Sequence, residues 1–286
     1  MDHNGEPKRP LSGTRPPIQP RNFQEGRADQ RATRPLRGSR TYSRRSLHGR
    51  VAHDLGSRIL GGKLKPGQVL APEDELSAAL GVSRTALREA IKLLAAKGLM
   101  ESRPRTGTRI RPREHWNFLD PDVLAWRFEA EPVERSVRDL FQLRRMIEPA
   151  AADMAAQQAG AAAVARLQQA FRDMDAAGDD GEKWEEPDLR FHQTIIQATG
   201  NELISSLGAI IETALTMSFR LSNDNPTGQR HSLPLHRAVL NGIQSRKPQK
   251  ARQAMLVLLE QAEQDVRRAL AVRRSGTQRP AAGGRN

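Results

Sequence analysis

Gly81-Val82-Ser83-Arg84-Thr85-Ala86-Leu87-Arg88-Glu89-Ala90 is a turn running into the basic start of a helix. Glycine takes the left-handed backbone that ends one helix without strain, and Ser83 is an N-cap for the next, its hydroxyl accepting amide hydrogens that lack an intrahelical partner. Leu87, Ile91 and Leu94 recur on one face of the new helix, and Gly98 closes it.

Upstream, Ser46 caps a helix whose apolar stripe is Leu47, Val51, Leu55 and Ile59. Gly61-Gly62 ends it, Lys65-Pro66-Gly67-Gln68 is a turn, and a short helix after Pro72 puts Leu76 and Leu80 inward. Downstream, 100–103 and 108–111 flank Pro104-Arg105-Thr106-Gly107, which reads as a small hairpin. Three helices and a hairpin make a winged helix-turn-helix over 46–113. In that architecture the second helix of the motif enters the DNA major groove by its N-terminal end. The expected readers are therefore Arg84 and Arg88, four residues apart on one face, with the hydroxyls of Ser83 and Thr85 suited to phosphate oxygens. Arg105, at the wing tip, reaches for backbone or minor groove.

The charge follows the same division. The chain of 286 residues carries a net +13, of which residues 1–45 hold +7, 46–113 hold another +7, and 114–286 hold −1. A polyanionic partner is thus expected for the first third alone. Residues 1–45 are proline-rich and poor in apolar side chains, and read as a disordered basic arm; 273–286 read as a disordered tail. There is no cysteine, so a disulfide framework and thiolate metal sites are excluded. No uninterrupted run of about 20 apolar residues stands out, and the N-terminus lacks a signal-type apolar core. The expectation is a cytoplasmic protein.

The sequence around this head resembles the GntR family of bacterial transcription regulators. The match lies in Leu55-Gly56-Ser57-Arg58-Ile59, Gly62-Lys63-Leu64-Lys65-Pro66-Gly67, Glu73-Asp74-Glu75-Leu76, Val82-Ser83-Arg84-Thr85, Arg88-Glu89-Ala90, Gly98-Leu99 and Gly107-Thr108. The resemblance implies DNA contacts from Ser83, Arg84, Thr85 and Arg88, and from the wing residues Arg105, Thr106, Gly107 and Thr108. One departure is Asp74, where many relatives carry an arginine able to touch DNA; a carboxylate cannot hold a phosphate.

After a linker at 114–121, Asp120-Pro121 opens an all-α region, because Asp caps and Pro suits the first helical position. Expected helices are 121–129, 133–159, 161–177, 186–198, 202–221, 234–246 and 248–272, an antiparallel bundle over 122–272. Within it Asp188-Leu189-Arg190-Phe191-His192 sets a carboxylate and an imidazole four apart on one helix face, a metal-ligand spacing. His236, near the start of another expected helix, is a third candidate ligand. Such a pair on its own is more often a surface hydrogen-bonded pair than a pair of ligands.

Asp-x-x-x-His, followed by Gly200-Asn201 and Leu235-His236-Arg237-Ala238, resembles the FCD ligand-binding domain of the FadR subfamily. That likeness implies a divalent metal, zinc or nickel or another transition metal, held by Asp188, His192 and His236. Leu258 stands where a further histidine is common, and leucine cannot coordinate. Arg144-Arg145-Met146-Ile147-Glu148 resembles the Arg-x-x-x-Glu signature of the long helix, whose arginine faces the effector. Arg144 is then a clamp for an anion, or simply the i, i+4 partner of Glu148; Arg190 and Arg220 are further pocket candidates. The stretch from His115 to Trp126 resembles the domain junction of sugar-acid regulators of the galactonate-repressor type, and Trp116, Phe118, Leu124 and Trp126 are expected to pack the two domains together.

The expectation is therefore a homodimeric repressor of double-stranded operator DNA. Its partner ligand is a small carboxylate, an aldonate or other sugar acid, bound at a metal-assisted pocket. Two rival readings remain open at this point. One is a metal-dependent enzyme using the bundle site, and the other an unspecific nucleic-acid binder driven by the basic arm.

Overall fold

The computed structural model describes residues 46–103, 106–130, 133–222 and 227–277. The arm at 1–45, the wing-tip residue Arg105 and the last nine residues lie outside that set. The chain is mainly α-helical, with an N-terminal winged helix followed by a helical bundle.

The head holds α1 (Leu47–Leu60), α2 (Glu73–Leu80), α3 (Arg84–Ala96), β1 (Met100–Arg103) and β2 (Gly107–Ile110). Its helix boundaries follow the local chemistry. Ser46 Oγ accepts from Gly49 N and Ser83 Oγ from Ala86 N, while Gly81, at φ 64°, turns α2 into α3. The two strands pair antiparallel from Met100 opposite Ile110 to Arg103 opposite Gly107. Val51, Leu55 and Ile59 of α1 meet Leu76 and Leu80 of α2 and Leu87, Ile91 and Leu94 of α3 in one buried cluster. Each of these side chains removes enough apolar surface from water to contribute roughly 1.5–3 kcal/mol.

The bundle holds α4 (Pro121–Ala130), α5 (Val133–Gln158), α6 (Ala161–Ala177), α7 (Gly181–Gln197), α8 (Glu202–Ser206), α9 (Gly208–Ser222), α10 (Thr227–Gln244) and α11 (Pro248–Thr277). Two helices begin earlier than their prolines indicated. Asp180 caps α7, so that Pro187 lies inside it, and α10 starts at Thr227 with Pro234 inside. A helix from 202 to 221 is in fact two, broken at Leu207. By length and mean hydropathy, 1.2, Glu202–Leu221 is the one stretch among the described residues that could cross a bilayer. Here its apolar side chains Ile210, Ile211, Ala214, Leu215 and Met217 are buried in the bundle. Finally, α11 continues to Thr277, beyond its expected end at Val272.

The junction helix α4 serves both units. Val123 and Trp126 belong to the buried cluster of the head, together with Trp116, whereas Leu124, Ala125 and Phe128 belong to a cluster with Phe141, Ile210, Ala214 and Met217 of the bundle. Alternate faces of one helix are thus buried in two different cores. Lys97, buried at the end of α3, places its ammonium 2.8 Å from both Asp120 and Asp122 and 5.8 Å from the Trp126 ring centroid. Paired carboxylates offset the cost of burying that charge.

Candidate functional site

The head presents Ser83, Arg84, Thr85 and Arg88 together on the exposed side of α3. They sit there because Leu87, Ala90, Ile91 and Leu94 take the opposite face into the core. Two carboxylates of α2 reach the arginines: Arg84 Nε is 3.0 Å from Asp74 Oδ1, and Arg88 Nε donates to Glu73 Oε2 at 2.6 Å. Asp74 therefore pairs with an arginine at the start of α3. Thr106 and Gly107 are exposed at the hairpin turn, Gly107 at φ 81°. Thr108 is turned inward, 7% exposed, with its carbonyl accepting from Leu70 N at 2.8 Å.

In the bundle, Asp188 and His192 of α7 and His236 of α10 are all buried, and one ligand atom of each lies within 4.8 Å of the others. The outward nitrogen of each ring is already engaged. His236 Nδ1 lies 2.9 Å from the Ser232 carbonyl, which can only accept, so the proton belongs on Nδ1. His192 Nδ1 meets Glu148 Oε2 in the same way. Both rings turn Nε2 toward Asp188 Oδ1, at 2.7 Å from His236 and 3.8 Å from His192. The nearer contact pairs the two groups as ions, and by geometry His236 Nε2 has no hydrogen-bond partner among the described residues. With Nδ1 of each ring engaged behind it, both Nε2 atoms and Asp188 Oδ1 are placed to coordinate one cation together. The donor set, two imidazoles and a carboxylate, suits zinc or a neighbouring transition metal. The carboxylate–histidine and carbonyl–histidine contacts behind the rings are the supports such ligands require.

Glu148 ties this set to Arg144. Its Oε1 accepts from Arg144 Nε at 2.6 Å while Oε2 faces His192, and Arg144 and Glu148 are 2% and 1% exposed. Burial pushes the Glu148 carboxyl up, but the Arg144 and His192 charges overcome it and hold it down at about 2. Burial likewise opposes ionisation of Asp188; the charge of His192, then His236 and Arg144, draw its pKa below the usual value. The pairing of Arg144 with Glu148 is thus part of a buried relay, where an i, i+4 spacing by itself denotes a surface pair worth a few tenths of a kcal/mol.

A cavity with about 80 Å3 of water-accessible space adjoins the three ligands. Arg144 lines it, as do Asp188, His192 and His236; Trp184, Leu215, Phe219, Leu258 and Val266 supply apolar wall, and Asp265 a further carboxylate. Leu258, 3% exposed, presents only carbon. Arg190 lies elsewhere, paired with Asp173 and Glu186 at 2.7 and 2.9 Å. Arg220 is half-buried in the last turn of α9 and is not among the cavity-lining residues. Sequence reasoning missed the second role of Glu148, the Ser232 carbonyl, Trp184 and Asp265. The period of α11 alone could have put Asp265 on the face of Leu258.

A winged head with a basic exposed helix, joined through a shared helix to a helical bundle with a cavity, defines a DNA-binding transcription regulator. Residues 47–110 match the family of bacterial regulatory proteins, gntR family, and 139–261 match the FCD domain. The uncharacterized HTH-type transcriptional regulator YieP of Escherichia coli K12 is 33% identical over 212 residues, 73% of this chain and 90% of the relative. The galactonate operon transcriptional repressor of the same strain is 31% identical over 211 residues, 73% of this chain and 92% of the relative. Among solved structures, Lar of Listeria monocytogenes shares the fold, at 18% identity and a TM-score of 0.56 over 80% of this chain and 99% of that one. The chain belongs to the GntR family, with a C-terminal FCD domain. Its family and relatives are transcription regulators, not enzymes.

Proposed function

We propose that this protein is a homodimeric repressor whose hold on a pseudo-palindromic operator is set by a sugar acid bound beside a divalent metal, zinc in the first instance. The observation that carries the pocket reading is the convergence of His192 Nε2, His236 Nε2 and Asp188 Oδ1, each ring fixed from behind by an acceptor. A divalent ion there supplies Lewis-acid positions for carboxylate and hydroxyl oxygens. Arg144, held at Nε by Glu148, keeps its terminal nitrogens for the carboxylate of the effector. An aldonate is favoured by the likeness to the galactonate operon repressor. Arg84 and Arg88 read base edges, with Ser83, Thr85 and the wing on phosphates.

Control passes through α9 and α4. Leu215, Ser218 and Phe219 of α9 line the cavity, while Ile210, Ala214 and Met217 of the same helix are buried with Leu124, Ala125 and Phe128 of α4. An effector that favours one placement of α9 biases the heads through α4, and operator DNA changes effector affinity by the same factor.

Metal content of the purified protein, with effector affinity by calorimetry, tests the pocket. Asp188→Ala and His192→Ala should lose metal and aldonate binding together, and unchanged metal stoichiometry in both would refute the site. Arg84→Ala and Arg88→Ala should each cost about 1–3 kcal/mol on matched operator. Equal binding of matched and scrambled duplexes by the wild type would instead favour unspecific attraction.

A further inference from the structure

Two buried carboxylates on α11, Glu263 and Asp265, are handled in opposite ways. Glu263 is taken up by two guanidinium groups, Arg145 on α5 and Arg267 on its own helix. Asp265, 8% exposed, lines the cavity and among the described residues receives only the Gln261 amide, at 3.1 and 3.2 Å, with a guanidinium nitrogen of Arg268, a side chain 65% exposed, at 3.7 Å. A buried carboxylate with so little support is costly unless a ligand donates to it.

Charge bookkeeping in the cavity points the same way. Arg144 and Glu148 cancel. A divalent ion held by Asp188 leaves one positive charge over, and Asp265 balances it. The metal-loaded cavity is then neutral before any effector enters. A monocarboxylate adds one negative charge, which the metal and Arg144 receive; a second carboxylate would face Asp265 in a poorly solvated space. Hydroxyl groups, by contrast, donate to it.

We propose that Asp265 is a specificity-determining residue. It accepts hydrogen bonds from hydroxyls on the effector's far carbons, so that the ligand is a polyhydroxy monocarboxylate and the matching dicarboxylate is turned away. This rests on the sugar-acid reading of the pocket and narrows it. In this reading the metal ligands and Arg144 take the acid end, and Asp265 of α11 the hydroxylated end.

The test compares galactonate with galactarate, which share every internal hydroxyl and differ in whether the last carbon is an alcohol or a carboxylate. Calorimetry on the metal-loaded full chain should show galactonate bound at least about tenfold more tightly. Asp265→Asn, which keeps an acceptor but removes the charge, should bring the two acids to within about threefold, and Asp265→Leu should lose galactonate binding. Metal content of both variants should stay at the wild-type value and their ligand-free Tm should not fall, separating a reading role from a structural one. If both acids bind the wild type alike, or if Asp265→Asn leaves the ratio unchanged, the role of Asp265 falls and the sugar-acid reading stands. If neither acid binds the metal-loaded wild type, the sugar-acid reading falls and this proposal with it.

Discussion

Asp74 and Glu73 each hold a recognition arginine by its Nε, leaving the terminal nitrogens for another acceptor. Both pairs are largely exposed, and exposed ion pairs contribute at most about 1 kcal/mol to folding. Their importance lies in competition with phosphate. Asp74→Asn should leave Tm within about 1 °C of wild type yet raise binding to scrambled duplex and steepen the salt dependence by about one ion, read by anisotropy titration. Glu263 is a different case, because it is buried and joins α5 to α11. Burial raises its carboxyl, and hydrogen bonds from Arg145 and Arg267 outweigh that and lower it. A lowered folded-state pKa means the stabilisation is present above the unfolded value, about 4.3, and is lost as pH falls below it. Glu263→Gln should cost about 1 kcal/mol at pH 7, the low end for charged hydrogen bonds because both arginines reach solvent. The difference should shrink in melts taken below pH 4.3, and a pH-independent difference would contradict the assignment.

Among the elements, helix ends set by local chemistry were legible in the sequence and those set by packing were not. Ser46, Ser83 and Gly81 act within three residues of themselves, so their roles could be read directly. Pro187 and Pro234 misled for one shared reason: proline suits a first turn, and only burial of Trp184, 2% exposed, explains why α7 begins a turn and a half before its proline. The site divided likewise. Asp188 and His192 share a helix face and announce themselves, whereas Glu148 reaches His192 across 44 residues and resembles an ordinary local pair of Arg144. The contact between α1 and α4 was legible only as an aromatic stretch. A Cβ on Gly56 would stand 2.4 Å from Trp126 Cε3, so α1 and Trp126 approach as closely as a glycine permits. Gly56→Ala should therefore cost about 1–3 kcal/mol in thermal unfolding. In the same variant, the effector's influence on operator affinity should weaken while metal content holds.

Across the whole molecule, the basic excess ends with the winged head, and the near-neutral remainder carries the ligand chemistry. That separation of charge is not a separation of structure. Because Val123 and Trp126 complete the hydrophobic core of the head while their helix neighbours complete that of the bundle, the covalent border and the physical border do not coincide. A fragment of residues 46–113 should give a broad, weak melt and poor NMR dispersion. A fragment of residues 46–130 should unfold cooperatively, and equal behaviour of the two would show that α4 is dispensable to the head. Recombination between relatives is constrained in turn. A DNA-reading unit moved onto a foreign bundle must either bring its own α4, and fit the new bundle with a face selected for another, or accept a borrowed tryptophan in its interior. The ten residues of α4 thereby tie the DNA-binding unit to the bundle it was folded with.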